Sequence, residues 1–432
     1  MQGPTLGLIG FAVCIALIFL RVPVAIAMGV TGAVGFGLTN GWDSVAFILG
    51  KVPFDTVFPY DLSVVPLFVM MGVFAGHAGL SRSLYNCVAA FVGQLRGGLA
   101  LATIGACALF GAICGSSLAT AATLGRVALP EMKRLNYNDS LAAASIAAGG
   151  TLGVMIPPSI IFVIYALMTE QSIGKLFLSG ILPGILGIAL YWGAVYWTTL
   201  RNPAAGPAGP RLSWAEKFTS LRNVWKVAAL FALVLGGMYF GWFTPTEAAA
   251  VGAAGAILLA WIGGQINRVM LKQCMIETTT TSAMIFMILI GANIFNFFVE
   301  ATGFTQATVE WVQTQGFNRW TVMLILMLFY ILLGCFLDSI SMILLTISAV
   351  YPLITTLGFD PIWFGVMVVT VAEIGMITPP VGMNLFVLQG TCGIPMGTIV
   401  RGITPFVFAD GIRLLLLCLF PWIATWIPSQ MG

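Results

Sequence analysis

The chain has 432 residues, of which 59% are apolar and only 8% charged, with a formal charge of +3. A soluble domain carries about 25% charged residues, so this composition offers no water-facing surface, and the lack of a Lys/Arg cluster excludes nucleic acid as a partner. The apolar runs are continuous, without the alternation that marks each ~10-residue strand of a membrane barrel, which leaves an all-α polytopic protein of the lipid bilayer.

The opening run, MQGPTLGLIGFAVCIALIFLRVPVAIAMG, has no basic residue ahead of it and no clear cleavage site, so it reads as a retained helix, not a signal peptide. Spanning helices are expected over 4–20, 24–40, 62–78, 139–169, 174–200, 223–242, 246–264, 279–300, 361–390 and 396–427. The segment 81–96, SRSLYNCVAAFVGQLR, predicts an amphipathic helix lying along the interface. Two stretches, 99–135 and 319–357, are too long for one helix and carry ICGSSLATAAT and CFLDSISMILL at their centres. Each reads as a re-entrant helical hairpin with its tip near mid-membrane, where irregular backbone survives only under a cover of protein or water. Residues 201–222 form a polar linker, too short for a domain. Eight cysteines lie in or beside apolar segments with no CxxC pair and read as small core residues.

A repeat at a register of 222 organises these elements. Pro23 falls on Pro245, Ser117 on Ser339, Pro130 on Pro352, Gly153 on Gly375, Pro157-Pro158 on Pro379-Pro380, and Gly180-Ile181-x-Pro183 on Gly402-Ile403-x-Pro405, without a gap. Asn138 aligns with Asp360, and both suit the N-cap of the next helix. Residues 1–200 and 223–432 thus form two repeats, about ten spanning helices in all plus the two hairpins. Five crossings per repeat is an odd number, so the second copy is inverted, an architecture of secondary transporters. Twelve basic residues from Arg21 to Lys272 collect on one side against Lys51, Lys175 and Arg319 on the other. The first side is therefore cytoplasmic and both termini are expected outside.

The chemistry concentrates at GVMIPPS (153–159) and GMITPPV (375–381). Proline lacks a donor and pushes the preceding residue out of the helix, so each segment should break near its glycine. Freed carbonyls suit a cation, whereas N–H groups beyond Pro157-Pro158 and Pro379-Pro380 suit an anionic cargo group. The hairpin tips add hard oxygen ligands: Ser116 and Ser117 with Thr120 toward the cargo in one, Asp338, Ser339 and Ser341 in the other. Asp338 is the sole acid in its apolar stretch, where a carboxylate is expensive unless paired or functional. Glu373, two residues before Gly375, is a candidate ligand or gate. Asn384 is a candidate hydrogen-bond partner for cargo or a tie between helices. Arg126 either meets a carboxylate or snorkels to the cytoplasmic face. Thr244-Pro245-Thr246-Glu247 reads as a capping box, Asp410 and Arg413 as an i,i+3 pair, and His77 as a local hydrogen-bonding residue.

The segments FLRVPVAIAMG, GAICGSSLATAATLGRVALPEMK, GTLGVMIPPS, FTPTEAAAVGA, GCFLDSISMILL and LGFDPIWFGVMVVTVAEIGMITPPVGMNLFV resemble the large membrane subunit of tripartite ATP-independent periplasmic (TRAP) transporters. The resemblance covers nearly the whole chain. It implies sodium-driven import of organic acids across the bacterial inner membrane by an elevator-like movement of hairpins and broken helices. It also implies cargo delivery by a periplasmic substrate-binding protein and a separate small four-helix membrane subunit, for which this chain has no room. The ion-binding regions it implies match Ser116, Ser117, Gly153, Asp338, Ser339, Gly375 and Thr378. A sodium/carboxylate symporter that needs no binding protein is the alternative. With one histidine, no GxSxG and no GxxxxGK[ST], neither a hydrolase nor an ATP-driven pump fits.

Overall fold

The computed structural model describes residues 3–431, and these are helical with no strand among them. The expectations for the chain ends touch residues 1, 2 and 432, which lie outside the described residues. Among the described residues eight helical segments are long and apolar enough to cross a bilayer, counting the broken run Asp139–Thr169 as one. Shorter apolar helices, among them Gly3–Phe19, Val24–Asn40 and Pro361–Ile377, complete the set.

The helices sort into two bundles. In the flanking bundle, Val24–Asn40 packs along Arg268–Thr302 and Pro245–Ile262 packs along Val64–His77. Its outward faces carry exposed Trp225, Leu258 and Trp261, as lipid-facing helices do. The core bundle holds the hairpins, the broken helices and two long helices, Ile173–Arg201 and Met396–Leu419. Every residue from Leu141 to Met155 and from Trp363 to Ile377 is buried. The run AAASIAAGGTLG explains the first of these: small side chains let helices approach closely where lipid supplies no hydrophobic drive.

Subtracting 222 from Ser339–Thr356, Pro361–Ile377 and Met383–Cys392 gives 117–134, 139–155 and 161–170, against observed helices Ser117–Arg134, Asp139–Met155 and Ile160–Thr169. The packing is reciprocal as well. Ser117–Arg134 rests on Met383–Cys392, and Ser339–Thr356 rests on Ile160–Thr169. Equivalent helices touch each other, Asp139–Met155 against Pro361–Ile377 and Ile173–Arg201 against Met396–Leu419. The expected N-caps form, with Asn138 Oδ1 accepting from Ser140 N at 2.9 Å and Asp360 Oδ1 from Trp363 N at 2.8 Å.

Several elements differ from the sequence reading. The second half of the 201–222 linker is already helix: Trp214–Tyr239 starts behind a Ser213/Glu216 capping box. The run 396–427 is two helices, Met396–Leu419 and Trp422–Ser429, parted where Pro421 removes a donor. Helix Trp42–Val57 went unanticipated because Lys51, Pro53 and Asp55 dilute its hydropathy. Phe304–Thr314 is the unanticipated counterpart of the amphipathic helix Leu80–Val92, which buries Leu84, Tyr85 and Cys87 on one face.

Candidate functional site

Each hairpin turns at its polar centre. Gly98–Cys114 ends at Gly115, whose φ of +63° favours glycine, and Ser116 then caps Ser117–Arg134 by accepting from Ala119 N at 3.4 Å. Asp338 stands at the equivalent position, since 338 − 222 = 116. It caps Ser339–Thr356, accepting from Ser341 N at 3.1 Å and from Ser341 Oγ at 2.5 Å. Beside each tip a broken helix parts at its Pro-Pro pair, between Met155 and Ile160 and between Ile377 and Met383. The chain leaves the second break through Gly382, at φ +59°, whose N–H donates to Cys335 O at 3.1 Å.

Two glycine contacts hold the breaks against the hairpins. A Cβ on Gly153 would lie 2.7 Å from Gly111 Cα, and one on Gly375 would lie 2.5 Å from Gly334 Cα. Backbone faces backbone at both points, so no side chain can yield. Gly375→Ala should therefore push the second broken helix off its hairpin, at a cost of about 1–3 kcal/mol. Thermal unfolding in detergent checks this, and an unchanged midpoint would count against the contact.

The two tips meet at one cavity of about 240 Å³. Gly115, Ser116, Ser117 and Leu118 line it from one side and Asp338, Ser339 and Ile340 from the other, with Val154 and Met376 adjoining the two glycines. A larger cavity of about 490 Å³ continues along the face of Ser117–Arg134 that carries Ala119, Thr123 and Arg126. Ser116, Ile160 and Thr281 line both cavities, so they form one path. It reaches the surface at His77 and Glu277, which lie 3.1 Å apart.

The expected residues divide accordingly. Ser116, Ser117, Asp338 and Ser339 line the tip cavity, and Arg126 lines its continuation. Thr120 does not face the cavity. It is buried against Gly153 with its Oγ1 unpartnered, beside the break. Pro157 is buried and Pro158 faces an apolar crevice with Met71 and Phe231, while Pro379 and Pro380 are exposed away from the cavity. The prolines make the breaks without touching the path. Asn384 is a tie: its Nδ2 donates to Ser117 Oγ at 2.7 Å and to Ala147 O at 3.0 Å. Thr378 turns its hydroxyl back onto Ile374 O at 2.5 Å. Glu373 is fully buried and ion-paired with Arg413, outside the cavity lining. The sequence reading missed Thr281, although the polar run Thr278–Ser282 inside an apolar helix was its signal.

The profile of the family described as "Tripartite ATP-independent periplasmic transporter, DctM component" matches residues 11–423. The chain is 35% identical over 409 residues to the C4-dicarboxylate TRAP transporter large permease protein of Pseudomonas aeruginosa, covering 94% of each. It is 32% identical to the sialic acid TRAP transporter large permease protein of Vibrio cholerae, covering 86% of each. Its fold is similar to that of the YdaH transporter of Alcanivorax borkumensis, with a TM-score of 0.62, 15% identity, and 98% and 100% of the two chains covered. At that identity the likeness concerns fold alone.

Proposed function

The chain belongs to the family of the DctM component of tripartite ATP-independent periplasmic transporters, and from that premise we propose that it is the permease of a sodium-driven importer of organic acids. It works with a small membrane subunit and a periplasmic binding protein in the bacterial inner membrane. The cargo is a carboxylate, the class to which the dicarboxylate and sialic acid named for its relatives belong.

The observation that carries this reading is the meeting of both hairpin tips at one cavity with oxygen ligands on either side. Ser116, Ser117 and Thr120 beside Gly153, and Asp338 and Ser339 beside Gly375 and Thr378, are the two ion sites. Hydroxyls, a carboxylate and freed carbonyls are hard ligands suited to sodium. The cargo lies along Ser116, Thr123, Arg126 and Thr281, where Arg126 matches a carboxylate in charge and fork geometry. Reciprocal packing supports two inverted repeats, and the basic excess supports a cytoplasmic Arg126 end of the path, with both termini outside. The core bundle carries the ligands and moves as an elevator against the flanking bundle.

Reconstitution into liposomes with the small subunit and cognate binding protein tests this. Labelled carboxylate should accumulate only under an inward sodium gradient and only with the binding protein present. Uptake without the gradient would refute sodium coupling, and uptake without the binding protein would favour the independent symporter.

A further inference from the structure

A buried polar cluster lies behind the ion sites. Thr151, Tyr191, Glu373, Asp410 and Arg413 are each 0% exposed. The repeat register relates them: 373 − 222 = 151 and 413 − 222 = 191. In the first repeat the two hydroxyls, Thr151 Oγ1 and Tyr191 Oη, lie 3.2 Å apart. In the second repeat the same two positions form the Glu373–Arg413 ion pair. Asp410 joins the pairs, accepting from Tyr191 Oη at 2.7 Å and lying 2.9 Å from Arg413 Nη2. Tyr191 has one proton and gives it to Asp410, so the only proton available between the two hydroxyls is that of Thr151, shared with Ala148 O, which Thr151 Oγ1 meets at 2.7 Å.

The cluster spans the four helices that meet their own counterparts. It also reaches both breaks, for Thr151 precedes Gly153 by two residues and Glu373 precedes Gly375 by two, about 3 Å along a helix. Space is reserved for it: a Cβ on Gly187 would stand 2.6 Å from Arg413 Nη1. Packing alone does not demand the charges, because Thr151 and Tyr191 fill the equivalent contact without any. Buried ion pairs add little stability over apolar replacements, but breaking one is costly, so an alignment that parts this pair is penalised.

We propose that these five side chains form a latch that holds the two broken helices in one register, so that filling the ion site at Gly153 is felt at Gly375. They act as positioning residues, and the proposal rests on the sodium-coupled reading above. Coupling of this kind is a free energy shared between sites and typically changes affinity about 5–150-fold.

The test is Tyr191→Phe, which removes the bridging hydroxyl and keeps the ring beside Arg413, with Thr151→Val as a second cut should the first variant fail to fold. Two sodium titrations are read in the reconstituted transporter and the purified permease: uptake, and thermal stabilisation, which reports binding without transport. Wild type should respond with a slope above one. The variants should fall toward a slope of one, with the half-saturating sodium raised about fivefold or more, and recover most of the uptake at saturating sodium. Wild-type slope and midpoint in a folded variant would overturn the latch, as would lost maximal uptake with unchanged steepness. If wild type binds sodium cooperatively but uptake ignores the gradient, the transport reading fails and the stabilisation titration still decides the latch. Absence of sodium binding in wild type would overturn both.

Discussion

Asp338→Asn should give a folded permease whose uptake needs about 10–150 times more sodium for half-saturation, the loss expected when a contact to a charged group worth about 1.5–3 kcal/mol is removed. The substitution separates two roles of one side chain. Asp338 caps Ser339–Thr356 through Ser341 N, and asparagine caps nearly as well, so the helix start survives. What disappears is the negative charge at the tip cavity. The equivalent residue of the first hairpin, Ser116, is neutral, so the two sites differ in charge and the loss should fall on one of them. Asp338→Ala removes the cap as well, lowering stability by about 1 kcal/mol. Sodium titrations of uptake beside thermal unfolding distinguish the two variants. A normal sodium midpoint in Asp338→Asn would confine Asp338 to capping.

The features that position Asp338 are local and therefore legible in the sequence. Polar residues at the centre of an apolar run, a Pro-Pro pair after a glycine, and their return 222 residues later each constrain backbone directly. Features that depend on which helices become neighbours were not legible. Arg413 shows its local partner, Asp410, three residues away, but nothing in the chain announces Glu373 forty residues upstream. Once that pair forms, Glu373 is held behind the break instead of facing the cavity. Thr120 and Asn384 have the same history. Residue type alone left Asn384 open between cargo and a tie between helices and turned Thr120 toward cargo, and the helix faces that packing selected set them against Ser117 and Gly153. The prolines show the limit most plainly: their ring chemistry locates each break, whereas the direction their rings face depends on the neighbours.

Arg126→Gln should raise the cargo concentration for half-maximal uptake about 10–150-fold, again the range for losing a contact to a charged group, with little change in the sodium midpoint. Arg126 lies ten residues beyond Ser116 on the cavity-lining face of one helix, about 15 Å along its axis. Side chains leave a helix tilted toward its N-terminus, which here is the hairpin tip, a direction that favours the cavity over the far end to which a snorkelling arginine must bend. The rest of the path favours the same assignment. Glu277 lines the cavity, and with Arg126 neutralised its carboxylate would repel an incoming anion with no permanent cation on the lining to offset it among the described residues. Glu277→Gln in the Arg126→Gln background should therefore recover part of the lost affinity. Arg126→Lys should recover less than full function, because it restores the charge without the two-pronged geometry that matches a carboxylate. Uptake kinetics at saturating sodium read all three variants. An unchanged half-saturation in Arg126→Gln would return Arg126 to the membrane surface and leave the neutral oxygens of Ser116, Thr123 and Thr281 as the recognition groups.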